Sequence, residues 1–430
     1  MRILYINHYA GSSRMGMEFR PYYLAQEWRR LGHETTIVAA DFSHLRRQNP
    51  DIQKDLEESS EDGIRYVWLR CGAYDGNGSA RAATMFRFVF KLRLYARTLC
   101  RRYRPDVVIT SSTYPLDTYP GQAIARRSGA KLIHEIHDMW PATLVELGGM
   151  SERHPFVRLL DRAETSFCRH SDAVVSILPL TQDYICAKGL PRDAWHYIPN
   201  GVYLPDWQTE PSGDGEGQAD GADGIPMAHV ALFKKLQADG AFVIGYFGGH
   251  ALSNGLESVL ELAARMRGQK LAFVLVGDGV QKAELMERAR EMKLSDVHFL
   301  DPVAKTQIPA LLRRFDLVFV TGHACSLYRF GGGMNKLFDA MMAAKPVLLA
   351  LDLPGNPIVE SGCGSMCSAG DYPAMQEAVE AFMAMSPEAR RAMGEKGREA
   401  ALTRYNYANL ARRFAQIFED GKAAPAPDGK

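Results

Sequence analysis

The chain has 430 residues, 46% of them hydrophobic and 23% charged, with a formal net charge of +1. That length exceeds one ordinary core and predicts two domains of about 200 residues each. The near-zero charge excludes a globally basic nucleic-acid binder, so any electrostatic function must be local. The seven cysteines, at 71, 100, 168, 186, 325, 363 and 367, include no CxxC pair, which predicts reduced thiols rather than a disulfide or zinc framework. The opening apolar run is too short for a signal peptide, and no uncharged apolar run approaches a membrane span. The expectation is a cytoplasmic protein, with peripheral attachment to the inner face of the cell membrane left open.

Short β-branched runs at 3–7, 35–39, 64–69, 107–110, 132–136 and 173–178 read as strands. An amphipathic helix over 22–31, closed by Gly32, lies between the first two. This βαβ rhythm predicts a parallel sheet covered on both faces. It stops near Asn200. Residues 206–224 carry six acidic residues, many glycines and no basic one, a composition expected to form a flexible surface insertion. Strands resume at 242–247, 272–276, 297–300, 317–320 and 347–350. The reading is α/β: two Rossmann-like, doubly wound domains facing across a cleft, with both sets of strand carboxyl ends turned to it. The boundaries are 1–203, a linker at 204–240, 241–405, a helix at 406–420 (with 409–418 packing across the joint) and a disordered tail at 421–430.

Four loops are candidates for chemistry. The first, residues 8–21, lacks the GxGxxG spacing, since Gly11 and Gly16 are five apart. Gly16 is placed to approach a donor phosphate and Arg20 to hold an anionic group; a plain strand–helix connection is the alternative. The second is His134-Glu135-Ile136-His137-Asp138-Met139-Trp140-Pro141 at a strand end. Here His137 would bond a sugar hydroxyl, Trp140 would offer a flat apolar face, and His134 is expected to be structural. Asp138 is a candidate catalytic carboxylate, and a buried Glu135 would need a partner. The third is formed by Gly248, Gly249, His250 and Asn254 with Gly277, Asp278 and Gly279.

The fourth is Tyr328-Arg329-Phe330-Gly331-Gly332-Gly333-Met334-Asn335-Lys336-Leu337-Phe338-Asp339. A glycine loop feeding a helix start offers N–H groups and a positive dipole end to a phosphate. Lys336 adds a charge there, while Asn335 and Asp339, four apart, face one side, one for phosphate and one for a ribose diol. A capped surface loop is the alternative.

Residues 81–104 hold eight basic residues and no acid, with Met85, Val89, Leu92, Tyr95 and Leu99 at helical spacing and Phe86, Phe88 and Phe90 broadening the stripe. Such a helix suits an anionic membrane surface, with Arg93, Arg97 and Arg101 on one edge. It equally suits a domain helix with solvated arginines.

Together these residues resemble the family 4 retaining glycosyltransferases of the GT-B fold, of the bacterial surface-polysaccharide (O-antigen or capsule) type, over nearly the whole chain. The resemblance implies an active-site histidine at His137 and a turn closing the first domain at Pro199-Asn200-Gly201-Val202. It also implies donor phosphates at the 248–255 loop and around 328–339. Three departures stand out: no arginine–lysine pair in the 248–255 loop, Asp339 alone of a two-glutamate motif with Gly331 in the first place, and Met334 where proline is usual. Lys336, Arg329, His250 and helix N-termini are the remaining candidates for diphosphate charge.

The implied activity is transfer of a sugar from a nucleoside-diphosphate sugar, UDP-sugar favoured, to a polyprenyl-linked saccharide. The acceptor side, with Arg20 and Trp140, falls to the first domain. The base is placed near Gly279 and Val303, and no metal or other cofactor is required. Rival readings are a sugar-nucleotide epimerase of the same fold and a non-catalytic nucleotide-sugar-binding partner. A nicotinamide dehydrogenase is disfavoured because neither half carries a dinucleotide fingerprint.

Overall fold

A computed structural model describes residues 1–76, 78–208 and 224–419. It divides into two compact units, one of Met1–Asn200 with Tyr407–Lys430, the other of Gly201–Asn406. Most of the acidic insertion and the carboxyl-terminal tail lie outside the described residues.

Unit 1 is built on eight strands: β1 (Arg2–Ile6), β2 (Glu34–Ala40), β3 (Glu57–Glu61), β4 (Ile64–Leu69), β5 (Val107–Thr110), β6 (Lys131–Ile136), β7 (Ala173–Ser176) and β8 (Trp195–Tyr197). Their order is β3-β4-β2-β1-β5-β6-β7-β8, parallel except for the antiparallel β3–β4 pair at one edge. Period-2 alternation divides the core. Leu4, Ile6, Val38, Ala40, Val67 and Leu69 pack with Phe88, Leu92, Ala96 and Leu99 of the Ser79–Tyr103 helix. On the other face Tyr5 meets Trp28 of the Arg20–Arg30 helix, and Trp28 sits edge-on to Phe414 and Phe418. The Tyr407–Glu419 helix therefore completes unit 1's own core, and Trp28 Nε1 donates to Ala411 O at 3.0 Å.

Unit 2 has six parallel strands: β9 (Phe242–Phe247), β10 (Leu271–Val276), β11 (Val297–Leu300), β12 (Leu317–Thr321), β13 (Val347–Ala350) and β14 (Gly364–Cys367), ordered β11-β10-β9-β12-β13-β14. The Met227–Ala238 helix lies in the stretch read as linker, yet Val230, Phe233 and Leu236 are buried with Val243, Val274 and Val318. Their spacing of three residues turns one apolar face to the sheet. That helix is core, not connector.

Candidate functional site

In unit 1 the polar groups gather where β1, β5 and β6 end. Glu135, one residue short of the end of β6, is fully buried. Its Oε1 accepts Arg20 Nε at 2.9 Å; its Oε2 accepts from Tyr5 and from Ser111 Oγ at 2.7 Å, and lies 3.0 Å from His137 Nε2. Burial by itself would raise this carboxyl. Arg20, His137 and Ser111 outweigh it and hold Glu135 well below the usual carboxylate range.

Arg20 is 1% exposed, and the rest of its fork donates to Pro199 O at 2.6 Å, Ile198 O at 2.9 Å and Asn200 Oδ1 at 3.3 Å. The sequence expectation of Arg20 as an acceptor-binding cation is therefore corrected. Its guanidinium ties the first helix to β6 and to the turn at 198–200.

His137 is the group this network positions. Its Nε2 is 2.8 Å from Ser111 Oγ and 3.0 Å from an ionised, acceptor-only carboxylate. In the neutral ring the proton therefore resides on Nε2, which leaves Nδ1 as a bare acceptor for a hydroxyl. Asp138 has a different role from the catalytic one expected. Its oxygens accept from Met139 N at 2.7 Å, Thr143 Oγ1 at 2.9 Å and Trp140 Nε1 at 3.1 Å, which fixes the turn after β6. Burial raises the Asp138 carboxyl despite those bonds.

Trp140, held by Asp138, lines a small pocket with Ser112, Thr113, Pro115 and His137. His134 is structural: it is buried, stacks on Phe167 and lies 2.8 Å from Thr110 Oγ1. Gly16 does not offer its N–H to a phosphate. That group donates to Ser12 O at 2.8 Å, and with φ of 102° a Cβ at residue 16 would stand 2.9 Å from Arg47 N.

In unit 2 the loops at 248–254 and 277–279 stack on one another after β9 and β10. His250 N donates to Asp278 O at 2.7 Å, and a Cβ on Gly277 would lie 1.9 Å from Gly248 O. A Cβ on Gly279 would lie 2.5 Å from His250 O. These glycines thus answer to loop-on-loop packing. The Asp278 carboxylate turns back on its own loop and accepts Gly279 N at 2.8 Å.

Lys336 stands at the start of the Asn335–Met342 helix, whose cap residue Met334 supplies no side-chain hydrogen bond. Its Nζ lies 4.4 Å from the Tyr246 ring centroid, 3.1 Å from Tyr246 Oη and 3.4 Å from Asn254 Oδ1. Asn254 Nδ2 in turn donates to Gly249 O at 2.9 Å. No carboxylate pairs with Lys336 among the described residues, and burial pulls its ammonium down to about 8. Tyr246, missed by the sequence reading, had only its place inside the glycine run to mark it.

Three expectations change here. His250 is fully buried, its ring nitrogens have no hydrogen-bond partner among the described residues, and burial lowers it to about 4. It is neutral near pH 7 and brings no charge to a diphosphate. The Asp339 carboxylate is not open: both oxygens lie 2.7 Å from Lys305 Nζ, a partner 34 residues away that no local pattern announces. Leu337 and Val303 are core residues, their side chains buried in the packing of unit 2. Tyr328 is half-buried, while Arg329 donates to Ser326 O and covers the Phe330 ring.

Residues 15–201 match the glycosyl transferase 4-like domain, and residues 241–385 match the glycosyl transferases group 1 family. The chain is a GT-B glycosyltransferase. It is 25% identical over 293 residues to WcaI of Escherichia coli K12, named as a colanic acid biosynthesis glycosyl transferase, covering 66% of this chain and 68% of that protein. Glycosyltransferase WbjE of Pseudomonas aeruginosa is 23% identical over 299 residues, covering 68% and 70%. Among solved structures, sucrose-phosphate synthase of Thermosynechococcus elongatus superposes with a TM-score of 0.70 at 15% identity, over 97% of this chain and 98% of that one. HepE of Anabaena, solved with UDP, gives 0.66 at 15% identity, over 97% and 100%. This transferase thus has the same fold as those proteins.

Proposed function

We propose that this glycosyltransferase moves a sugar from a nucleoside-diphosphate sugar, UDP-linked by preference, to a polyprenyl-linked saccharide in surface-polysaccharide synthesis, with retention of configuration. One observation carries the donor half: Lys336 is a half-buried ammonium with no carboxylate partner among the described residues, set beside Gly248 at a helix start whose cap residue supplies no side-chain hydrogen bond. A diphosphate supplies the missing negative charge, and its oxygens suit both the ammonium and the positive end of the helix. As the anomeric bond to the diphosphate breaks, charge grows on the leaving group where these donors stand. The reading assigns no metal ion to that task.

His137 is the acceptor-side group, its Nδ1 receiving a sugar hydroxyl. The acceptor class is inferred from the relatives named for colanic acid and other glycosyl transfer, and retention from the family resemblance. HepE, solved with UDP-glucose as well as UDP, supports the donor class. The test is calorimetry of UDP and UDP-sugars, followed by mass measurement of products formed on polyprenyl-diphosphate-linked saccharides. Absence of UDP-sugar binding would overturn the donor assignment. Donor consumption with no acceptor and an epimerised sugar would instead identify an epimerase.

A further inference from the structure

The Ser79–Tyr103 helix spends its expected apolar stripe on the core. Met85, Phe88, Leu92, Ala96, Leu99 and Tyr103 are all buried. Its opposite side nevertheless carries large apolar residues: Phe86 is 44%, Phe90 67% and Leu94 61% exposed. These three recur every four residues, and so do the exposed Arg93, Arg97 and Arg101. The two sets interleave on one face. None of the three arginines pairs with a carboxylate among the described residues, and the helix contains no acid.

The face does not end with this helix. Phe86 meets Phe156 of the Pro155–His170 helix with ring centroids 5.9 Å apart and planes tilted by 56°, and Phe156 packs against the same cluster as Val89, Leu144 and Trp140. Arg153, Arg158 and Arg162 are exposed in that stretch, together with Glu152 and Asp161, the latter paired with Lys188, and Leu147 is 60% exposed. The two helices thus meet at Phe86 and Phe156, over the same buried cluster that carries Trp140, which lines the His137 pocket.

We propose that this face lies on an anionic bilayer, with Phe90 and Leu94 sunk among the acyl chains and the arginines on lipid phosphates, so that a lipid-borne acceptor meets His137 from the membrane plane. Charge complementarity selects this occupant. Unpaired arginines on an acid-free helix suit a negative surface, while scattered phenylalanines among them suit the headgroup–acyl boundary. No helix among the described residues is long and apolar enough to span a bilayer, so the contact is interfacial. The proposal rests on the lipid-linked acceptor reading above, and its test separates the two.

Wild type should sediment with vesicles of phosphatidylcholine and phosphatidylglycerol, but far less with phosphatidylcholine alone or in high salt. Arg93→Gln/Arg97→Gln/Arg101→Gln and Phe90→Ser/Leu94→Ser should each weaken vesicle binding at least about tenfold. Both should keep wild-type UDP affinity by calorimetry and wild-type thermal unfolding. Equal vesicle binding by wild type and both variants would overturn the docking face. A wild-type dimer in sedimentation velocity that Phe90→Ser/Leu94→Ser dissolves, with no vesicle binding, would overturn it in favour of self-association. Vesicle binding that both variants lose, with no sugar transfer by wild type to polyprenyl-linked saccharides, would strike the acceptor reading and leave the docking face standing.

Discussion

The ends of β6 and β9 carry the two candidate sites, and their polar groups are treated in opposite ways. At the end of β6 in unit 1 the buried charges are matched. Arg20 and Glu135 neutralise one another, Tyr5 and Ser111 occupy the remaining lone pairs, and the outcome is one histidine held in a defined tautomer. In unit 2 the Lys336 ammonium has a tyrosine and an asparagine but no carboxylate beside it, and the buried His250 ring has no hydrogen-bond partner among the described residues. A satisfied network positions; an unsatisfied one awaits a ligand.

The largest test of this contrast is Glu135→Ala. It strands Arg20 inside unit 1 and should cost about 3–5 kcal/mol of stability in urea unfolding, because an uncompensated buried charge remains. An unchanged midpoint would show that the pair is not buried as described. Lys336→Ala should do the reverse, leaving unfolding unaltered while weakening UDP binding by about 2–3 kcal/mol, the scale of a charged hydrogen bond. Equal UDP affinity in calorimetry would place the diphosphate elsewhere.

A subtler effect comes from pH. The lysine is ammonium below about 8 and loses its proton above it, while a bound diphosphate would raise that value. UDP affinity should therefore be flat between about pH 7, where the terminal phosphate is fully ionised, and the lysine's value of about 8, and fall above it, approaching tenfold per pH unit, with proton uptake on binding in calorimetry across buffers. A flat profile to pH 9.5 would exclude Lys336 as the responsible charge. The smallest effect belongs to Asp339→Ala, which should weaken UDP binding by about 1 kcal/mol, since Lys305 already engages both oxygens that a ribose would use. A loss as large as that for Lys336→Ala would mean that Lys305 swings away when nucleotide binds.

Much of the architecture was legible because parallel strands are buried on both faces and so appear as continuous β-branched runs. The strands that escaped lack that signal. β3 is Glu-Glu-Ser-Ser-Glu on an antiparallel edge, β8 has three residues, and β14 is Gly-Ser-Met-Cys. The Met227–Ala238 helix was hidden by the acidic stretch before it. At the sites, the glycine loops were readable, but the reason for several of the glycines was not. Gly277 and Gly279 are required by the backbone of a neighbouring loop.

By itself the sequence determined the two parallel α/β units, the loops at their strand ends and the basic helix, since all follow from local periodicity and composition. The tertiary structure decided which charges are already spent. Arg20 and Glu135 are 115 residues apart, as Lys305 and Asp339 are 34 apart, and neither pairing leaves a trace in spacing. Whether an ionisable group is a tool or a tie depends on what faces it across the fold. Lys336 alone among the expected diphosphate cations is both sheltered and without a counterion among the described residues.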